Sequence, residues 1–339
     1  MNLPSTLDSF EHFARRPVSL QVNDALRTVL ARGIQHGLAD LPLPGAGDTL
    51  GRWQRLAAVA GQDLVLLKLF EGHTDAVAIL AELRASHLQL PGIWGVWAAE
   101  PPNARVRLSA SGPSEVRLQG TKAWCSGALQ IDHALVTAWD QQDQPYLVAV
   151  TLDQPGIRRG EEGWQAVGMA GTASVEVHFD DAVGLRVGDS GEYLARPGFW
   201  QGGAGIAAAW YGAAVGLAEY LRPRAGRSDP HADAHLGAVD GALFGAASAL
   251  RECAAWIDAY PLANAQLMVQ RVRAQVEAAV ETVVCHVGRA LGATPFCKEP
   301  HFARLSADLP VFIRQSHAER DLAGLGRLVA ARPAAEWTL

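Results

Sequence analysis

The stretch GTKAWCSGA, residues 120–128, places a large aromatic ring and a hydroxyl two positions apart. It reads as a strand running into a turn, and side chains at i and i+2 of a strand point to the same face. Trp124 and Ser126 are therefore expected to face one common object, while Cys125 points away. The alternative is a core tryptophan beside a buried serine that bonds to the backbone.

Two further patterns have the spacing of known functional or structural motifs. His231 and His235 stand at i and i+4 with Asp233 between them, as two metal ligands on one helix face would. Ala232 replaces the glutamate of the zinc-protease pattern and no third ligand is evident, so no metal site is predicted. Ser316-x-x-Glu319 is a capping-box pattern, in which Ser316 caps the last helix and Glu319 bonds back from its third position.

Composition bounds the class of protein. The 339 residues are too many for one typical core and predict two or three subdomains. A formal net charge of −6 argues against a nucleic-acid partner, because phosphate binding needs clustered Lys and Arg. Four widely spaced cysteines indicate a reducing compartment, and the N-terminal segment has no apolar core of a signal peptide. We therefore expect a cytoplasmic protein.

One uncharged segment has the length of a membrane span. Residues 199–218, FWQGGAGIAAAWYGAAVGLA, are mostly Gly and Ala, which favour insertion much less than Leu or Phe. Small residues at close spacing let a backbone or a ligand approach. The segment is therefore predicted to be a buried helix of a protein without a membrane span.

The chain changes character twice. Residues 1–90 carry apolar residues at helical spacing, with breaks predicted at Gly61 and at the EGHTD turn, after which Thr74 would start a new helix. Residues 91–189 contain short alternating runs separated by turn residues, which predict a small antiparallel barrel or sandwich. Residues 190–339 are Ala-rich and helical, with helices near 199–222, 232–260, 264–292 and 317–332. The predicted class is α+β: an N-terminal helical domain, a middle antiparallel β-barrel domain and a C-terminal helical bundle.

With this domain order, four segments resemble the acyl-CoA dehydrogenase family of flavoproteins. GVWAAEP resembles the family stretch that ends in Thr-Glu-Pro, and LQGTKAWCSGA resembles its hNGxKxWITNG strand. GMAGTASVEVHFDDAVG resembles GxRGSxTxxVxFxDVxVP, and GRALGATPF resembles QxxGGxGY. The resemblance spans nearly the whole chain and is strongest over about residues 90–220.

The resemblance implies an FAD cofactor. Trp124 would stack on the isoalloxazine and Ser126 would supply a hydroxyl near its reactive edge, which suits a flat conjugated ring. Trp97, Ala98 and Ala99 would lie along the flavin, the alanines through their backbone. The resemblance further implies cofactor contacts for Gly292, and for Arg227 and His231 as pyrophosphate partners of a neighbouring subunit. Asp229-Pro230 is equally an ordinary helix start.

The usual catalytic base of that family is missing. Its glutamate position falls on Arg314, Gln315 or Ser316, and a second position used by some members falls on Ile206. The nearest acid is Glu319, which is the candidate base unless it only caps the helix; His317 is a further alternative. The long helix also lacks the family's substrate arginine, since Ala207 stands at about that position. Its glycines would then either leave room for an unusual substrate or serve close helix packing.

Three functions follow from the resemblance. The first is FAD-dependent dehydrogenation of an acyl thioester with a relocated base. The second is a flavin-dependent monooxygenase on the same fold, which would not need that base. The third is a non-catalytic flavin- or acyl-binding member. Lys122, Arg158 and Arg159 would either reach a CoA phosphate or be solvated. In the family each cofactor site is completed by a neighbouring subunit, which predicts a homodimer or homotetramer.

Overall fold

The structure, a computed structural model, describes residues 10–11, 13–14, 23–160, 163–226, 229–333 and 337. It divides into two compact units. The first comprises the described residues of 1–13, 19–41 and 65–199, and the second those of 14–18, 42–64 and 200–339. The three domains predicted from the sequence stay a prediction about organisation, and each unit is described here by itself.

The first unit is built on a sheet that closes on itself. Its strands are β1 Trp94–Trp97, β2 Val106–Ala110, β3 Glu115–Cys125, β4 His133–Trp139, β5 Pro145–Thr151, β6 Ile157–Arg159 and β7 Val175–Val187. The order is β1-β4-β2-β3-β7-β5, with β6 beside β7, and the pairing of β4 with β5 closes the sheet. Most neighbours are antiparallel, whereas β1 and β2 run parallel to β4.

The helices of the described chain flank the strands in sequence. They are α1 Asn23–Gln35, α2 Thr49–Gln62, α3 Leu64–Glu82, α4 Glu192–Ala195, α5 Pro197–Ala218, α6 Pro230–Ala259, α7 Gln266–Leu291, α8 Ala293–Lys298, α9 Pro300–Phe312 and α10 Glu319–Ala330. Short 3₁₀ turns occupy Ser86–Leu88, Ala170–Thr172 and Ile313–Gln315. The predicted α+β class, with a strand-rich middle and a helical C-terminal part, is confirmed.

Helix α3 packs on the sheet of the first unit. A buried cluster joins the two: Ala76, Ile79, Leu80, Leu83, Ala85, Trp94, Leu135, Leu147, Ala149 and Val187. The predicted break at EGHTD is wrong, because α3 runs through it without interruption. At Gly72 the helix passes β1 at ordinary van der Waals distance, since a Cβ on this residue would lie 3.7 Å from the Cα of Gly95.

In the second unit, α6 and α7 form the longest helix pair. Six buried valines of α7 recur at helical spacing and build its inner face: Val269, Val272, Val276, Val280, Val283 and Val287. The helix start at Asp229-Pro230 is confirmed, because Asp229 caps α6 by accepting from the backbone N–H groups of His231 and Ala232.

The small residues of α5 serve close helix packing. A Cβ on Gly212 would lie 2.1 Å from the carbonyl oxygen of Ala57 in α2, and one on Gly216 would lie 2.8 Å from that of Gly61. Such distances are far below van der Waals contact, so the two backbones approach because neither glycine carries a side chain. Of the two readings left open for these glycines, this geometry supports packing. Among the described residues, no helix has the length and apolar character to cross a membrane.

Gly212→Ala is expected to lower the free energy of unfolding by about 1–3 kcal/mol, since the new methyl group forces α5 away from Ala57. Gly237→Ala is the matched control. Gly237 lies in α6 and a Cβ there would have no neighbour within 4 Å, so helix propensity alone should raise stability by about 0.5–1 kcal/mol. Urea unfolding of both variants measures the two changes. Equal destabilisation by both would contradict the packing account.

The predicted capping box at the last helix does not form. Helix α10 begins at Glu319, which makes Glu319 its first residue and not its third, and Ala318 occupies the N-cap position. The hydroxyl of Ser316 donates to Glu277 instead, and the backbone N–H of His317 donates to Asp321. The capping reading of Ser316 and Glu319 is therefore wrong, because Ser316 has a carboxylate partner on α7.

Candidate functional site

The candidate site of the first unit lies where β3 ends. The register between β3 and β7 shifts between Lys122 and Cys125, which marks a bulge. Trp124 sits at this bulge with φ of 55° and an exposed side chain, while Cys125 is fully buried. The regular strand alternation expected for this stretch does not hold. Trp124 is nevertheless open to a ligand, and Ser126 is half-buried in the turn that follows.

The backbone around this turn is strained. Trp124, Met169 and Ala173 all have left-handed φ values, of 55°, 58° and 43°. A residue with a Cβ rarely adopts this conformation, and such residues concentrate at functional sites. The last two flank the 3₁₀ turn that ends at Thr172, whose carbonyl oxygen accepts from Gly127 N–H at 2.7 Å. Two strained segments from distant parts of the chain thus meet at one point.

Three hydroxyl groups form a chain across this junction. The Oγ atoms of Ser126 and Ser174 are 2.8 Å apart, and Ser174 Oγ is also 2.8 Å from Thr172 Oγ1. Thr172 Oγ1 donates in turn to the carbonyl oxygen of Met169 at 2.7 Å. Thr172 and Ser174 are buried. The half-buried Ser126 is therefore the outer end of a chain that leads into the interior.

The segment from Trp97 to Ala99 lies against the same turn. The ring of Trp97 is buried, and its Nε1–H donates to the carbonyl oxygen of Ser126 at 3.0 Å. Ala98 and Ala99 follow directly after β1 and are half-buried. Trp97 thus holds the serine turn in place, and its ring is not free to cover a ligand. Cofactor contacts of Trp97, Ala98 and Ala99 through their backbone stay a prediction.

An ion pair between the buried Lys122 and Glu100 holds the segment that follows β1. Lys122 is completely buried, and its Nζ donates to Glu100 Oε1 at 3.2 Å and to the carbonyl and hydroxyl oxygens of Thr137 at 3.1 and 2.6 Å. Neither expectation for Lys122, a CoA phosphate contact or a solvated side chain, is correct. Burial lowers the pKa of Lys122, and the charge of Glu100 offsets part of this effect.

Glu100 is fully engaged by donors. It accepts from Thr137 Oγ1 at 2.7 Å and from Trp139 Nε1 at 2.9 and 2.8 Å, in addition to Lys122. Burial raises the pKa of Glu100, but these hydrogen bonds and the lysine charge outweigh burial and hold the pKa below its usual value. The carboxylate next to Ala99 is therefore ionised and weakly basic.

The other candidate residues lie in the second unit or outside the described residues. His231 is exposed in the first turn of α6, and Gly292 is exposed with φ of 63° at the end of α7. Glu319 is exposed at the start of α10. Arg227 lies outside the described residues. The cofactor roles of His231, Gly292 and Arg227 and the catalytic role of Glu319 stay predictions.

The positions at which the resembling family carries its base are occupied by other interactions. Arg314 pairs with Glu277 at 2.8 Å and Ser316 is buried against the same carboxylate.

His235 contacts His286 with 2.9 Å between their Nδ1 atoms. Among the described residues, no three His, Cys, Asp or Glu side chains lie close enough to hold a metal ion.

Sequence reasoning missed Thr172 and Ser174 as site residues. The signal was present in GMAGTASVEVHF, where two hydroxyl residues stand two positions apart beside small residues just before a strand. The segment indicates a strand and a family likeness, and neither of these points to the two hydroxyl groups. Its contact with Ser126, 48 positions away in the chain, comes from the pairing of β3 with β7.

Comparison with known proteins gives similarity in structure without similarity in sequence. No known protein family and no curated protein matches the sequence. TdsC from Paenibacillus sp. A11-2 in complex with FMN and indole is 19% identical with a TM-score of 0.80, covering 96% of both chains. TdsC is a dibenzothiophene monooxygenase. The methanesulfinate monooxygenase MsuC from Pseudomonas fluorescens is 19% identical with a TM-score of 0.77, covering 98% of both chains.

A third solved structure carries the family name suggested by the motifs. A candidate acyl-CoA dehydrogenase from Mycobacterium smegmatis is 15% identical with a TM-score of 0.80, covering 97% of this chain and 98% of its own. At these identities the likeness concerns the fold. The resemblance drawn from the sequence motifs is confirmed at that level.

Proposed function

Because the chain has the acyl-CoA dehydrogenase fold, we propose that it is a flavin-dependent monooxygenase that uses reduced FMN and O₂ on a small organic substrate. The observation that carries the proposal is the exposed Trp124, two residues before Ser126, whose hydroxyl group is linked to those of Ser174 and Thr172. The nearby carboxylate of Glu100 is held ionised. This arrangement can hold a flat cofactor, and the lowered pKa of Glu100 makes that carboxylate a poor proton acceptor.

The described residues fit an isoalloxazine ring. Trp124 offers an exposed aromatic face, Ser126 offers a hydroxyl, and Ala98 and Ala99 add backbone groups without bulky side chains. Reduced FMN supplies two electrons and two protons when bound, so that one atom of O₂ enters the substrate and the other leaves as water. Trp124 then binds and orients the ring, and Lys122 with Glu100 holds the adjoining backbone.

The electrostatics of Glu100, the carboxylate next to Ala99, favour oxygenation over dehydrogenation. Removing an α-proton from a thioester needs a basic group at the reacting carbon. The lowered pKa of Glu100 makes that group a poor base. Glu319 stays the candidate if the protein is a dehydrogenase after all. An oxygenation driven by the cofactor places no such demand on the protein.

FMN replaces FAD in this proposal. The expectation of FAD rested on the family resemblance, whereas TdsC has been crystallised with FMN. TdsC and MsuC are also named for monooxygenation of sulfur compounds, which makes dibenzothiophene and methanesulfinate the first substrates to try, with indole as a third. Assembly into a homodimer or homotetramer remains part of the proposal.

The purified protein is expected to bind FMN and, when reduced FMN is supplied by a separate reductase, to transfer one ¹⁸O atom from ¹⁸O₂ to a substrate of that panel. Trp124→Ala should weaken FMN binding about tenfold through loss of stacking. Cys125→Ala is the control from the same strand, because that thiol is fully buried. Absorbance titration measures binding and mass spectrometry measures ¹⁸O.

Two results would overturn the proposal in different ways. A protein that binds neither FMN nor FAD has no flavin function. Anaerobic bleaching of the bound flavin by an acyl-CoA, abolished in Glu319→Gln, would instead establish the dehydrogenase that the motifs suggest and would identify Glu319 as its base.

A further inference from the structure

The hydroxyl chain at the candidate site has one direction. Each hydroxyl group carries a single hydrogen. Thr172 uses its hydrogen on the carbonyl oxygen of Met169, which can only accept. The 2.8 Å contact between Thr172 and Ser174 then requires Ser174 to donate. Ser174 has no second hydrogen, so the 2.8 Å contact with Ser126 requires Ser126 to donate.

Every other assignment leaves the lone pairs of two oxygen atoms facing each other at 2.7 or 2.8 Å. Thr172 and Ser174 are 0% and 4% exposed, so water is not at hand to relieve such a mismatch. The hydrogen of the Ser126 hydroxyl is therefore directed inward. What this group offers on its open side is a pair of acceptor lone pairs.

The place of Ser126 is fixed by its backbone. Its carbonyl oxygen accepts from Trp97 Nε1 at 3.0 Å, and its N–H donates to the carbonyl oxygen of Trp124 at 3.0 Å. The next residue, Gly127, donates to the carbonyl oxygen of Thr172. The hydroxyl is thus held in position and in orientation two residues after the exposed Trp124, and on its open side it can only accept.

We propose that this chain selects the reduced form of the flavin, with Ser126 as the contact and Ser174 and Thr172 as positioning residues. The inference rests on the proposed function. An oxidised isoalloxazine has a bare, accepting N5, whereas reduction places an N–H there. A hydroxyl that can only accept pairs with the N–H and faces the bare nitrogen lone pair to lone pair. Selection of reduced FMN suits an enzyme that receives its flavin already reduced.

The test compares dissociation constants for oxidised and reduced FMN, measured anaerobically on the full-length protein. Wild type is expected to bind reduced FMN more tightly. Ser174→Ala frees the Ser126 hydrogen, so oxidised FMN should bind more tightly and the preference should fall about fivefold, the effect of one ordinary hydrogen bond. Thr172→Val should act in the same direction, because Ser174 then donates to Ser126.

Ser126→Ala should also reduce the preference, chiefly by weakening the binding of reduced FMN, because it removes the hydroxyl that pairs with the N–H. Ser111→Ala, which removes an exposed hydroxyl paired with Glu115 in the same unit, is the matched control and should change neither constant. If Ser174 had only a structural role, Ser174→Ala would weaken the binding of both FMN forms and keep the ratio of their dissociation constants. That result overturns the inference. Equal affinity of wild type for both forms also overturns the inference. Contact of Ser126 with the flavin N3–H would give this result, because that N–H is present in both oxidation states. Failure of wild type to bind either form overturns the proposed function as well.

Discussion

Lys122→Met is expected to lower the free energy of unfolding by about 3–5 kcal/mol, because it leaves a partly buried carboxylate without its cation. Nζ of Lys122 has three hydrogens and three acceptors within 3.2 Å, all of which lose this donor. Methionine fills a similar volume, so the loss measures the charge and the hydrogen bonds more than the packing. Urea unfolding of wild type and variant measures the change.

Two further variants separate the ion pair from general damage. Lys122→Met combined with Glu100→Gln removes both charges and should recover part of the loss, since replacing a whole buried pair costs less than breaking it. Arg222→Met breaks the exposed pair with Glu219 and should cost about 0–1 kcal/mol. A cost for Lys122→Met as small as that for Arg222→Met would show that the buried pair contributes nothing.

Most of the β region could be predicted because alternation is a local signal. The alternating runs of the sequence over 104–110, 114–124, 133–139, 146–152 and 174–179 correspond to β2, β3, β4, β5 and the start of β7. Strands β1 and β6 were not predicted. Each is only three or four residues long, and β1 is held by a parallel pairing with β4, in which Trp94 lies opposite His133. Pairing of that kind leaves no pattern in the strand itself.

Helical glycines misled the prediction where tertiary packing decides. Gly72 predicts a break in the sequence, yet α3 continues through it. In α5 the sequence leaves close packing and room for a substrate as alternatives, and the structure supports packing. Local propensity cannot separate these cases, because the partner backbone belongs to another element. Helices α8 and α9 were likewise missed in the C-terminal region.

The site was predictable in its residue types but not in its geometry. Trp124 and Ser126 were selected on the assumption of a regular strand, and the bulge before Cys125 breaks that regularity. A bulge depends on the register with β7 and has no signature in GTKAWCSGA. The sequence places Lys122 at the surface or at a CoA phosphate, since a lysine is rarely buried without a partner. Its partner Glu100 stands 22 positions earlier and is found only through the fold.

The structure predicts an acid-sensitive contact at His73 in α3. This side chain is 5% exposed, and its Nδ1 accepts the backbone N–H of Trp94 at the start of β1 at 3.2 Å. Accepting that bond requires the neutral imidazole at Nδ1. Burial lowers the pKa of His73 to about 4, and the charge of Asp40 offsets only part of this effect. The folded protein therefore resists protonation of His73.

Lowering the pH from 6.5 to about 4 is expected to remove about 3 kcal/mol of stability through His73 alone. The unfolded chain takes up this proton near pH 6.5 and the folded chain only near 4, so acid favours unfolding across that window. His73→Asn keeps an acceptor for Trp94 N–H and does not titrate there. Urea unfolding of both proteins from pH 7 down to about pH 4 should give a stability difference that shifts in favour of the variant as the pH falls. Because carboxylates titrate in both proteins alike, the difference isolates the imidazole, and a difference that stays constant with pH would mean that His73 protonates as readily in the fold as outside it.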